Sequence, residues 1–210
     1  MKSSKSFVLA AAAMLVAGAA AAARVDMNDP RRALGRDGDI RIDAELAQES
    51  VTANRPLTVT YQIENMSHHT IAIADKIADT DFDADSGTIT LAIGSEIPPN
   101  QMPHLVTINP GERRVLTTGA LLHIVVPNVR TRWTAVPRYV QVKVTVLRDV
   151  APFAKLIGMQ SHAVPVAFPA DMFDHWVEAS DSILLNTIPV YWQGESGRSS
   201  AENEQPAGTD

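Results

Sequence analysis

The chain has 210 residues, no cysteine, and 24 acidic against 18 basic side chains, for a formal net charge of −6. Without cysteine there is no disulfide framework, thiol nucleophile, zinc-thiolate site or lipidated N-terminal cysteine, so stability must come from a packed core. The acidic balance argues against nucleic acid or an anionic membrane surface as a partner.

Lys2 and Lys5 precede an apolar stretch, Phe7 to Ala23, that closes on Ala21-Ala22-Ala23, the small-x-small pattern of a signal-peptidase site. The expectation is an exported protein, periplasmic or secreted, with residues 1–23 removed as a signal peptide. An uncleaved anchor fits less well, because alanine gains little from lipid. Loss of Lys2 and Lys5 takes the basic count from 18 to 16 and the net charge to −8. Every later apolar run is broken within a strand's length, so no membrane insertion is expected after cleavage.

Residues 24–38 are polar and carry Pro30, Gly35 and Gly38, which reads as a linker. From Ile40 the period is two: Ile40, Ile42, Ala44 and Leu46 alternate with Arg41, Asp43 and Glu45, as a strand with one wet face requires. After the turn Asn54-Arg55-Pro56, Leu57, Val59, Tyr61 and Ile63 alternate with Thr58, Thr60, Gln62 and Glu64. A short loop, Asn65 to His69, precedes a brief strand at Thr70 to Ala74. Asp75 to Gly87 is acidic and reads as a connection before the strand Thr88 to Ile93. Pro98-Pro99-Asn100 forces a loop.

His104 to Ile108 and Glu112 to Thr117 flank Asn109-Pro110-Gly111, whose Pro and Gly suit the central positions of a type II turn, so the pair reads as a hairpin. Leu121 to Val126 is a further apolar strand, and Asn128 to Pro137 is a loop containing Trp133. Tyr139 to Leu147 is long and regular, with Val140, Val142, Val144 and Val146 on one face. A loop from Asp149 to Ser161 leads to a last strand, Ala163 to Phe168. About nine strands joined without long helices predict an all-β antiparallel sandwich over residues 39–168.

After Pro169 the period changes. Phe173, Trp176, Val177, Ser180 and Leu184 fall at helical spacing, with Asp171 as N-cap and Pro189 beyond the end, which predicts one C-terminal helix and docking segment over residues 169–193. Gly194 to Asp210 has no apolar residue except alanine and reads as a disordered tail.

Three of these features, the strand Leu57 to Glu64 closing on Asn65, the turn Ile108-Asn109-Pro110-Gly111-Glu112, and the long strand Tyr139 to Leu147, together resemble the immunoglobulin-like domains of bacterial cell-envelope proteins. The resemblance covers roughly residues 39–168 and lacks the cysteine pair and tryptophan of antibody domains. It implies a fold and, by itself, no function.

Four acidic residues, Asp79, Asp81, Asp83 and Asp85, recur at every second position and invite a calcium reading. Ala84 stands where a calcium loop needs glycine and Thr90 where a closing glutamate belongs, so a solvated acidic segment fits better. Histidine and methionine say more. Strand alternation expects the loops bearing Met66, His68 and His69, Met102 and His104, and Met159 and His162 to emerge at one end. Thioether and imidazole suit copper when cysteine is missing, which makes Met66, His68, Met102, His104, Met159 and His162 a candidate copper site. Adjacent histidines point apart on an extended chain, and methionines in loops often only fill gaps.

Enzyme signatures are absent from the sequence: Ser67, Ser86, Ser95, Ser161 and Ser180 lie in no Gly-x-Ser-x-Gly elbow, and there is no His-Glu-x-x-His or phosphate-cradling glycine loop. His175 and Asp171 at spacing four could hydrogen-bond as an exposed helix pair, and Glu178 and Asp181 read as a wet face. Phe173, Trp176, Tyr191 and Trp192 gather late in the chain, either to clamp the last helix onto the sheet or to bind a partner. The sequence therefore predicts a non-enzymatic binding or assembly module of the cell envelope with a protein partner and no cofactor; a copper-binding carrier is the alternative.

Overall fold

A computed structural model describes residues 29–97, 102–124, 136–160 and 168–193. The expected signal peptide, tail, Pro98-Pro99-Asn100 loop, Trp133 loop and His162 lie outside these residues, as does all of the last predicted strand except Phe168, which is irregular. The described residues are mostly β, with thirteen strands rather than nine: β1 (Arg32–Asp37), β2 (Ile40–Leu46), β3 (Ser50–Val51), β4 (Pro56–Asn65), β5 (Ile71–Ala74), β6 (Ala78–Asp83), β7 (Thr88–Ile93), β8 (Leu105–Ile108), β9 (Arg113–Leu121), β10 (Tyr139–Leu147), β11 (Ser180–Leu184), β12 (Ile188–Pro189) and β13 (Tyr191–Trp192). Two short helices, α1 (Ala154–Met159) and α2 (Phe173–Ala179), follow β10.

One sheet is antiparallel, in the order β1-β2-β4-β9. The other follows β6-β7-β10-β5-β8, with β11 and β12 on the opposite edge of β10 from β7 and β5. It is mixed, not antiparallel as expected, because β7 and β10 run parallel. Between them the chain forms β8 and crosses to the first sheet as β9, so β10 returns in the direction of β7. A parallel two-residue pair joins β13 to β3.

The period-two pattern places one core between the sheets. Ile42, Val59, Tyr61 and Ile63 from the first sheet join Ile89, Leu91, Val140 and Val142 from the second in a single buried cluster. All four valines on one face of β10 are fully buried. Strand β5 is buried on both faces: Ile71 and Ile73 enter this core, while Ala72 and Ala74 face a smaller cluster of Leu105, Leu147, Phe153, Leu156 and Trp176. Two alanines on that face leave room for α1 and α2 to approach the backbone.

Several local expectations give way to tertiary pairing. The polar segment read as a linker contains β1, whose Ala33 is core and whose backbone pairs along β2. The acidic connection contains β6, with Asp79, Asp81 and Asp83 on its exposed side and Ala78 and Phe82 packed on the core. The two strands flanking Asn109-Pro110-Gly111 form no hairpin: β8 pairs with β5 and β9 with β4, so the turn crosses between sheets. Its turn geometry is as expected, with Gly111 at φ +73° and the Glu112 N–H on the Asn109 carbonyl at 2.9 Å.

Leu121 ends β9 instead of opening a new strand, and Leu122 to Ile124 are irregular. The predicted loop from Asp149 holds a 3-10 turn and α1. Helix α2 stops at Ala179, so Ser180 and Leu184 belong to β11, paired with β10. Asp171 lies in the 3-10 turn Ala170–Met172 before α2 and does not cap it. Among the described residues no helix is long and apolar enough to cross a membrane.

Candidate functional site

The ladder between β5 and β8 fixes the positions of the histidines and methionines. Ile71 lies opposite Ile108 and Ala74 opposite Leu105. The loop carrying Met66, His68 and His69 therefore enters at one end of the ladder, and Met102 and His104 enter at the other. At about 3.3 Å per residue the two ends are roughly 10 Å apart. Met66 and His68 are thus not gathered with Met102 and His104, because β6 continues in the direction of β5 and β7 brings the chain back only to the Ala74–Leu105 end of the ladder. Among the described residues no three His, Asp or Glu side chains group as metal ligands.

At the first end, Met66 is exposed and its N–H binds the Asp39 carbonyl at 2.8 Å. His68, His69 and Thr70 face Arg148, Asp149, Val150 and Ala151 across an open cleft of about 510 Å³. The guanidinium there is already engaged, donating Nε to Asp181 at 2.7 Å and Nη2 to Asp37. The Asp181 carboxyl is held below its ordinary range by this hydrogen bond, which outweighs the opposing effect of burial.

At the second end, His104 Nδ1 lies 2.6 Å from Oδ1 of Asp75. The Asp75 side chain is 5% exposed and the His104 side chain 53% exposed, so a buried carboxylate holds a ring that projects into solvent. Lys76 Nζ is 3.4 Å from the other carboxylate oxygen. Met102 is half-buried against the smaller cluster, and Met159 is exposed at the end of α1. Sequence reasoning missed Asp75: it was only the first residue of an acidic connection, 29 residues from the imidazole it orients, and pairing of β5 with β8 alone brings them together.

The aromatic set divides by depth. Trp176 is 3% exposed and meets Phe153 and Phe168 edge to face, each with ring centroids 5.7 Å apart. It is an anchor of the smaller cluster, not a contact residue. Phe173 and Val177, one turn apart on the other side of α2, are 51% and 59% exposed. Tyr191 is 76% exposed, whereas Trp192 packs on the main core. His175 pairs with Glu178 at 3.8 Å rather than with Asp171, and both side chains are exposed.

Ser95, Thr145 and Ser182 form a chain with oxygen separations of 2.9 and 3.4 Å, and His104 is bonded to Asp75. No protein-family model, curated protein or solved structure matches the chain.

Proposed function

We propose that this chain is an exported, non-enzymatic binding or assembly module of the cell envelope, built as an immunoglobulin-like sandwich, that meets a protein partner through the outer side of α2. The observation that supports this reading is the division of labour on one seven-residue helix. Trp176 and Ala179 dock the helix on the smaller cluster, yet Phe173 and Val177 present a second apolar stripe to solvent at i, i+4 spacing. An exposed aromatic on a rigidly anchored helix loses little side-chain entropy on contact, which is what makes such residues effective anchors of interfaces. The two-sheet core, the Pro-Gly turn crossing between sheets and the long valine-faced β10 support the immunoglobulin-like part of the reading. The Lys2/Lys5 and alanine-rich N-terminus supports export.

Site-specific photocrosslinking in cells of the source organism tests it. A crosslinking residue at position 177 should give one discrete adduct that disappears with Phe173→Asp, while the same group at position 60, on the outer side of β4, should give none. Equal adducts from both positions, or none from 177, would refute the reading.

A further inference from the structure

His104 is positioned as a ligand, not merely solvated. A carboxylate can only accept, so in the neutral imidazole the 2.6 Å contact assigns the ring proton to Nδ1 and leaves the Nε2 lone pair directed away from Asp75. Each oxygen of the buried Asp75 carboxylate has a basic side chain beside it, Oδ1 on His104 and Oδ2 facing Lys76 at 3.4 Å. It therefore orients the ring without competing as a ligand, the arrangement that carboxylates commonly adopt behind metal-bound histidine.

Two methionines flank the bond that joins this part of the chain to α1. Met102 precedes Leu105 by three residues and His104 by two. Met159 ends α1, and the residue after it, Gln160, accepts the Leu105 N–H through Oε1 at 3.1 Å. That bond ties the end of α1 to the start of β8, so Met102, His104 and Met159 all lie within three residues of it. Met159 is exposed and Met102 only half-buried, and both are long and unbranched enough to turn toward the imidazole.

We propose that Nε2 of His104 and the sulfur atoms of Met102 and Met159 form a binding site for Cu(I). One imidazole and two thioethers make a neutral, soft donor set, which selects Cu(I) over hard cations that need several carboxylate oxygens. The nearby Lys76 ammonium acts in the same direction, since it repels a divalent ion more than a monovalent one. Met66 and His68, at the other end of the β5–β8 ladder, take no part. The site is independent of the α2 contact face.

The test is an anaerobic titration of the full chain with Cu(I) against a chromophoric Cu(I) chelator. The chain should withdraw one equivalent; His104→Ala should weaken binding about 10-fold or more, and Met102→Leu and Met159→Leu should each weaken it measurably. His68→Ala and Met66→Leu should leave it unchanged. Copper-edge X-ray absorption should show both nitrogen and sulfur neighbours. Failure to withdraw copper, unchanged affinity in His104→Ala, a loss in His68→Ala equal to that in His104→Ala, or a spectrum without sulfur would each overturn the proposal. His104→Ala also removes a partner of the buried Asp75 carboxylate, so Met102→Leu and Met159→Leu, which leave that pair intact, separate lost binding from lost fold, with thermal denaturation of each variant run alongside.

Discussion

Asn65 donates its side-chain amide to the Ile108 carbonyl at 2.9 Å, and that bond joins the end of a strand in one sheet to the end of a strand in the other. The same nitrogen reaches the His69 carbonyl at 2.8 Å, and Oδ1 accepts the Ser67 N–H and hydroxyl at 3.0 and 2.6 Å. The backbone of this fully buried residue also accepts from Gly111 and donates to Glu112. Asn65→Ala would strand the buried Ile108 carbonyl, at about 1–3 kcal/mol, whereas the His69 carbonyl keeps the Ser67 hydroxyl at 3.0 Å. Urea denaturation should show a loss of about 1–3 kcal/mol. Asn65→Asp should be no better, because a carboxylate cannot donate to either carbonyl and brings a buried charge.

Trp176 and Phe173 are three residues apart on α2 and should respond oppositely to truncation. Trp176→Ala removes the ring between Phe153 and Phe168 and leaves a cavity under the helix, which costs about 3–5 kcal/mol. Phe173→Ala removes a half-exposed ring and should change stability by less than about 0.5 kcal/mol. Paired denaturation curves check this. A large loss from Phe173→Ala would show that its ring serves the fold, and the proposed contact face would lose its main anchor.

These contrasts show where the sequence was readable. Ile40 to Leu46, Leu57 to Glu64 and Val140 to Val146 announce themselves because each buries one face, and period two is the direct trace of one-sided burial. Arg32 to Asp37 is silent because β1 is an edge strand: its one buried apolar side chain is Ala33, and it is held by backbone pairing to β2 and by the buried Arg32–Asp43 ion pair, neither of which leaves an apolar period. The helix over-ran because Ser180 and Leu184 fit helical spacing by chance, and only the presence of β10 alongside decides for β11. Trp176 was legible as apolar, but its depth depends on Phe153 from a segment read as loop. The Asp75–His104 pair left no local trace at all, since neither residue's neighbours in sequence encode the partner.

Arg148 links β1, β10 and β11 through Asp37 and Asp181, and its contribution should depend on pH. The Asp181 carboxyl has its pKa lowered from 3.8, chiefly by the Arg148 hydrogen bond, so the folded chain holds this proton less tightly than the unfolded chain. A depressed carboxylate contributes stability above its unfolded pKa and loses it as pH falls through the folded one. The network should therefore be intact at neutral pH and lose its contribution only as the pH falls below the ordinary carboxylate range. Both side chains are partly exposed, so the whole effect of Asp181→Asn should be only about 0.5–1 kcal/mol at pH 7. Urea midpoints for wild type and Asp181→Asn should differ at pH 7 and converge as the pH falls through the lowered Asp181 pKa. A difference that persists undiminished at low pH would show that charge is not its source.

Export has its own direct readout. If Ala21-Ala22-Ala23 is the processing site, the protein recovered from the periplasm or medium should begin at Arg24, and Ala21→Leu with Ala23→Leu should leave the full-length chain membrane-associated. N-terminal sequencing of the recovered protein checks this, and an intact Met1 in the exported material would rule the site out.

Gly111 and Gly119 should tolerate different replacements, because each is required for a different physical reason. Gly111 sits at φ +73° in open space, so the objection to a side chain there is conformational, about 1–2 kcal/mol for a Cβ in the left-handed region. Asparagine enters that region more readily than alanine, so Gly111→Asn should recover part of the loss seen in Gly111→Ala. Gly119 lies in β9 opposite Thr58, where a Cβ would stand 2.7 Å from the Leu57 carbonyl oxygen and 3.2 Å from the Thr58 Cα. The obstruction is backbone of the paired strand, which cannot move aside without breaking the ladder between β4 and β9. Gly119→Ala should cost about 1–3 kcal/mol, and Gly119→Asn should cost at least as much, since a preference for positive φ does nothing for a steric clash. Urea midpoints of the four variants decide the matter, and rescue by asparagine at 119 would mean that the strand is bent, not crowded, at this position.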